Sequence, residues 1–185
     1  MTGGSRPARR LVLAGILTGL GAVLHVLESI VPIPLVLPGA KLGLANAATL
    51  LALALDGPAT ALAVAVARPL FGGLIGGGFG SIGFWLSLAG SIAGGLAMTA
   101  LWTLARRGGG TGGFSLVGVS LAGGMAHNLG QLALAARYVG VVAAVSYLGP
   151  LLLAGLVAGY LVGRLASLVA NASAVRETFA RLVTG

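Results

Sequence analysis

The chain contains no cysteine, three carboxylates and very little charge of either sign. Without cysteine there are no disulfides, no thiolate metal sites and no cysteine nucleophile. Glu28, Asp56 and Glu177, with His25 and His127, are its whole stock of carboxylates and imidazoles, which restricts acid–base and metal chemistry. Charged residues make up 8% of the 185, against roughly 25% in ordinary soluble domains. A chain so poor in charge cannot cover a water-facing surface, so its outer solvent must be lipid.

Apolar residues reach 57%, and 33 glycines lie among them. In water that much glycine would signal disorder, but inside apolar runs small residues let helices approach closely. The net charge of +8 raises nucleic acid as a partner. The basic residues are dispersed, however, with no aromatic-interleaved basic face. They read instead as cytoplasmic anchors of a membrane protein.

A span needs about 20 apolar residues, and the sequence divides into six: residues 11–31, 41–55, 59–76, 82–104, 114–136 and 145–165. Asp56-Gly57-Pro58 ends the second with turn chemistry, and Arg68-Pro69 lies inside the third. The prediction is an all-α integral membrane protein of one domain. A cytoplasmic leader (1–10) precedes a six-helix bundle (11–165), and an amphipathic tail (166–185) follows it. In that tail Leu168, Ala172, Val175, Phe179 and Leu182 recur at helical intervals, with Arg176, Glu177 and Arg181 on other faces, as in a helix lying on the inner leaflet.

Arg6, Arg9, Arg10, Arg106, Arg107, Arg164, Arg176 and Arg181 fall on one side of this topology, and Lys41 and Arg137 on the other. That asymmetry predicts both termini in the cytoplasm. Trp85 and Trp102 are spaced by one hydrocarbon thickness at about 1.5 Å per residue, as interfacial aromatics prefer. Arg9-Arg10 before an apolar run resembles a signal peptide, but no clean small-x-small cleavage site follows.

Polar groups at membrane depth are costly and suggest function by default. His25 and Glu28 share a face near the outer end of the first span. Lys41 opens the second, with Asn46 deeper in it, and Arg68 lies mid-way along the third. His127, Asn128 and Gln131 occupy the outer half of the fifth, and Arg137 closes it. These groups are expected to converge on an outward-opening pocket. Donors (Lys41, Arg68), an acceptor (Glu28) and amides (Asn46, Asn128, Gln131) would surround one small polar ligand, with His127 beside them. The plainer reading has Glu28 paired with Lys41 or Arg68 and the amides joining helices. Pro32-Ile33-Pro34 to Pro38-Gly39-Ala40 is either a lid over the mouth or a tight crossover. Gly15 with Gly19, Gly90 with Gly94 and Gly155 with Gly159 repeat a helix-packing spacing. Beside the first pair runs the small stripe Ala14, Thr18 and Ala22.

The run Glu28-Ser29-x-x-Pro32-x-Pro34, then Pro38-Gly39-x-Lys41-Leu42-Gly43-Leu44-Ala45-Asn46, resembles the Gx transporter family, as do Ser87-Leu88-Ala89-Gly90 and Ala126-His127-Asn128-x-x-Gln131. That family is also called heptaprenyl diphosphate synthase component I. Its members look like the substrate-binding S components of energy-coupling factor (ECF) transporters. The resemblance spans about residues 11–165. It implies a six-helix S-component fold in the bacterial cytoplasmic membrane, binding a small nutrient from outside. The implied partners are a transmembrane coupling subunit and its two ATPases. It also implies a partner-facing Ala-x-x-x-Ala-type stripe on the first helix, matched loosely by Ala14, Thr18 and Ala22, where threonine departs from the pattern.

Uptake of a small polar or anionic solute is therefore the leading expectation. No Gly-x-x-x-x-Gly-Lys-Ser/Thr motif occurs, so ATP would be used by another chain, and no cofactor or metal is called for. Prenyl chain elongation, suggested by the family's second name, requires aspartate-rich magnesium sites, whereas this chain has one aspartate, Asp56. An accessory role beside a catalytic partner stays open, as does a stand-alone carrier using His25, Glu28 and His127 as a proton relay.

Overall fold

The computed structural model describes residues 5–30, 41–107 and 115–172. All regular structure among them is helical. The elements are α1 (Ser5–Ile30), α2 (Asn46–Leu55), α3 (Pro58–Ile75), α4 (Ile82–Arg107), α5 (Leu116–Val139), α6 (Val141–Ser146) and α7 (Leu148–Asn171). There are thus seven helices among the described residues rather than six. Four segments are long and apolar enough to cross a membrane: Arg10–Ile30, Pro58–Ile75, Ile82–Arg107 and Leu148–Asn171. The lid candidate over residues 32–40, and the tail beyond Ala172, lie outside the described residues.

Local chemistry explains the boundaries. The expected sixth span runs through Pro150, which a helix accepts only in its first turn. The chain accordingly turns at Tyr147 and restarts, so that Pro150 falls in the opening turn of α7. Gly140, at φ +86°, separates α5 from α6. Such a positive φ strains any residue with a Cβ. The expected second span shortens to the ten residues of α2, about 15 Å at helical rise. Gly43 has a φ of +85°, and Lys41 spends its backbone N–H and C=O on Gln131. Helix therefore begins only at Asn46. At the other end α1 starts at Ser5, so the expected polar leader is partly helical. Pro58 opens α3, where its missing N–H costs nothing. Ser115 caps α5 by accepting the Gly118 N–H at 3.1 Å.

Helices α1, α3, α4, α5 and α7 pack in that order, each against the next, and α2 touches all five. Its Ala48, Thr49, Leu50, Leu51, Ala52 and Leu53 are buried. All of these but Thr49 join Leu17, Val64, Met98, Val119 and Val162 in the main apolar core. Large apolar side chains on the outer faces of α1, α3 and α7, such as Ile16, Leu74 and Leu153, stay exposed, as lipid-facing positions require. Pro69 sits inside α3 and cannot donate to the carbonyl of Ala65. The Ser91 hydroxyl from α4 takes the place of that missing donor. The third span thus carries its proline unbroken, because a neighbouring helix satisfies the freed carbonyl.

Candidate functional site

The seven polar residues singled out by sequence are brought together around one short segment, residues 41–46. Gln131 on α5 clamps the peptide of Lys41 from both sides: its Oε1 accepts the Lys41 N–H at 3.0 Å and its Nε2 donates to the Lys41 carbonyl at 2.9 Å. Nε2 also lies 3.4 Å from Asn128 Oδ1. Asn128 in turn donates to the Leu151 carbonyl of α7 at 2.5 Å. Glu28, near the end of α1, accepts the backbone N–H of Leu44 at 2.5 Å. Arg68 donates through Nη2 to Asn46 Oδ1. These residues tie α1, α2, α3, α5 and α7 to one irregular stretch of backbone, whose polar groups must find partners inside protein.

The Lys41 ammonium does not reach Glu28. It lies 2.7 Å from His25 Nε2, 2.6 Å from Ser29 Oγ and 3.3 Å from the His25 carbonyl. Arg68, 1% exposed, likewise makes no ion pair. The one salt bridge among the described residues joins Arg10 to Asp56, 3.1 Å apart. The simple pairing of Glu28 with Lys41 or Arg68 is therefore not what the structure adopts. Two buried or half-buried cations and one carboxylate share a small volume without direct contact.

Several polar atoms in this volume have no hydrogen-bond partner among the described residues: Arg68 Nε, Asn46 Nδ2 and both ring nitrogens of His127. An unsatisfied buried polar group costs about 1–3 kcal/mol, so such a collection calls for a reason. Asn46 is the hinge of the set. Its amide oxygen takes Arg68, leaving Nδ2 turned toward the His127 ring. A methyl built on Gly43 would lie 2.8 Å from Asn46 Nδ2 and 3.1 Å from His127 Cδ2.

Sequence reasoning missed the glycines that make room for these side chains. A methyl on Gly90 would meet Gln131 Cγ and the His127 carbonyl at 2.8 Å, and His127 Cε1 at 3.0 Å. One on Gly72 would meet His25 Cδ2 at 2.7 Å, and one on Gly21 the Arg68 Cβ at 3.0 Å. The glycine-rich faces therefore hold the polar residues as well as joining helices. In the sequence Gly90 stands out as one half of a packing motif and as the end of the Ser87-Leu88-Ala89-Gly90 string, neither of which shows that it makes room for His127. The Ala14, Thr18 and Ala22 stripe faces inward: Thr18 and Ala22 are 8% and 1% exposed, and Ala14 packs against the apolar core. The open small residues of α1 are instead Gly15 and Gly19, where an added methyl would meet nothing within 4 Å. Arg137, at the end of α5, makes no side-chain hydrogen bond or ion pair with the cluster among the described residues.

A family model described as heptaprenyl diphosphate synthase component I matches residues 17–169, a range that holds the whole cluster. No curated protein matches the chain, and no solved structure does.

Proposed function

The chain belongs to the heptaprenyl diphosphate synthase component I family, and from this footing we propose that it is a membrane-embedded binding subunit for uptake of a small polar or anionic solute. In this reading it behaves like an S component. The cluster around residues 41–46 receives the solute from outside, both termini face the cytoplasm, and a separate coupling subunit with ATPases supplies the energy. The observation that carries the reading is Arg68: a fully buried guanidinium, beside a proline, which among the described residues has no carboxylate partner and an unsatisfied Nε. A buried cation held for structure alone is normally paired, and an intramembrane one marks a ligand or ion pathway by default.

The experiment is to purify the chain, identify by mass spectrometry the small molecule that travels with it, and measure uptake of that molecule by cells. Arg68→Gln is expected to reduce its retention by on the order of a hundredfold, about 2.7 kcal/mol. Undiminished uptake after replacing Lys41, Arg68, His127 and Asn128 together would sink the reading.

A second reading is favoured by the family's description: a membrane component of heptaprenyl diphosphate synthase that does not itself catalyse. Three carboxylates in the whole chain are too few for paired magnesium–diphosphate sites, and Asp56 is engaged by Arg10 and Thr60. On that reading the purified chain makes no prenyl diphosphate alone but raises the output of a catalytic partner.

A further inference from the structure

We infer that the solute is a monocarboxylate, its acid group received by three unsatisfied donors: Arg68 Nε–H, the Asn46 Nδ2 amide and a ring N–H of His127. This rests on the uptake reading and narrows it to one ligand class.

The argument begins with convergence. Arg68, Asn46 and His127 are each no more than 2% exposed, and each has an unpartnered donor among the described residues. They come from α3, α2 and α5, yet they adjoin. Arg68 is bonded to Asn46, and Asn46 Nδ2 and His127 Cδ2 both lie within 3.1 Å of the point where a methyl on Gly43 would stand. All the free atoms on the Arg68 and Asn46 side are donors. An acceptor-only group satisfies them, and an ionised carboxylate, with two oxygens and about four lone-pair sites, is such a group. A guanidinium N–H to a carboxylate is a charge-assisted bond, stronger than its neutral counterpart.

Charge then limits the choice among anions. Counted with Glu28 ionised, the volume holds two cations, Lys41 and Arg68, and one carboxylate, a surplus of one positive charge. The Lys41 ammonium already has three acceptors, His25 Nε2, the His25 carbonyl and Ser29 Oγ, so the unanswered charge is on Arg68. A single negative charge neutralises the site. A divalent phosphate or a diphosphate would leave uncompensated negative charge in a buried volume beside Glu28, which is strongly unfavourable. The same count disfavours a prenyl diphosphate at this position.

The test uses the full chain in detergent, freed of bound solute, with its thermal unfolding followed at matched ionic strength. The probes are acetate, lactate and benzoate, then acetamide as the neutral counterpart of acetate, then inorganic phosphate and inorganic diphosphate. The expected result is a saturable rise in unfolding temperature with one or more of the carboxylates and none with acetamide or the phosphates. Asn46→Asp places a fixed carboxylate beside Arg68. It is expected to fold and to weaken the carboxylate response by at least about tenfold. This variant serves even where Arg68→Gln fails to fold. Stabilisation by phosphate, diphosphate or acetamide instead of carboxylates, or no response to any of the carboxylates, overturns the inference and leaves solute uptake standing, as does co-purification of a neutral or phosphorylated solute. An unaltered carboxylate response in Asn46→Asp overturns the assignment of these donors. Uptake that survives loss of the whole cluster removes the uptake reading itself.

Discussion

The two parts of α2 are buried against opposite kinds of surroundings. Its first residue, Asn46, takes part in a web of polar atoms from α1, α3 and α5. Leu50 and Leu53, one and two turns on, are wholly enclosed by Leu17, Val64, Met98, Val119 and Val162. The apolar part is a close-packed contact surface, where dispersion and the absence of voids hold the helices. The polar part satisfies most of its backbone but leaves Arg68 Nε, Asn46 Nδ2 and the His127 nitrogens without partners. The apolar part leaves one neutral hydroxyl, Thr49 Oγ1, without a partner, whereas the polar part leaves a cation and an amide so; on the uptake reading a solute completes it. That difference can be tested by perturbing each side and reading stability and solute response separately.

The largest stability effect is expected at Leu50, which is fully buried. Leu50→Ala removes a side chain enclosed on every side and should destabilise the bundle by about 2–5 kcal/mol. Solute affinity of the molecules that remain folded should not change. The check is thermal unfolding alongside binding of the co-purified solute. If affinity fell with stability, the two parts of α2 would be one energetic unit and the contrast between them would fail.

Gly90→Ala perturbs the other side with a smaller cost. Its added methyl would press on the His127 carbonyl and on Gln131 Cγ at 2.8 Å. The carbonyl belongs to a helix and cannot swing away, so a cost of about 1–3 kcal/mol is expected. Here solute response should drop together with stability, because His127 and Gln131 must shift. Unfolding midpoints and solute titrations on the same sample separate this outcome from that of Leu50→Ala.

This contrast also marks where the sequence was readable. Charged and amide side chains in apolar runs stand out, so Glu28, Lys41, Asn46, Arg68, His127, Asn128 and Gln131 could be picked by depth alone, and the structure gathers them. The long apolar helices were equally visible. What periodicity could not convey was partnership. Nothing in the spacing says that Gln131 holds the peptide of Lys41 rather than a ligand, or that Glu28 accepts from Leu44 and avoids both cations. The family resemblance implies a partner-facing Ala14, Thr18 and Ala22 stripe, but small residues can face either a partner or the bundle, and only packing decides. Pro150 was a legible stop that hydropathy averaged away, and with it the restart of α7. The shortness of α2 had a signal too, since Gly43 sits where a helix starting at Lys41 would need an ordinary φ.

The smallest effect belongs to the proline repair, and it tests whether Arg68 stands on rigid backbone. Pro69 leaves the Ala65 carbonyl without its helical donor, and the Ser91 hydroxyl supplies one from α4. Ser91→Ala withdraws it. The expected cost is at the low end of a lost buried hydrogen bond, about 1 kcal/mol, because a carbonyl with two lone pairs can share a neighbouring N–H within the helix. Pro69→Ala restores the missing N–H and should make Ser91 dispensable. The double variant should therefore lose less than the sum of the single ones, with a coupling of at least about 0.5 kcal/mol in thermal unfolding. Additive effects would mean that Ser91 supports α3 through packing, against Ala65 and its neighbours, and that the carbonyl beneath Arg68 is satisfied elsewhere. A real coupling would explain why a charged side chain can be followed by a proline at membrane depth. The freed carbonyl is satisfied by a neighbouring helix, and the guanidinium stands on a helix held there by α4.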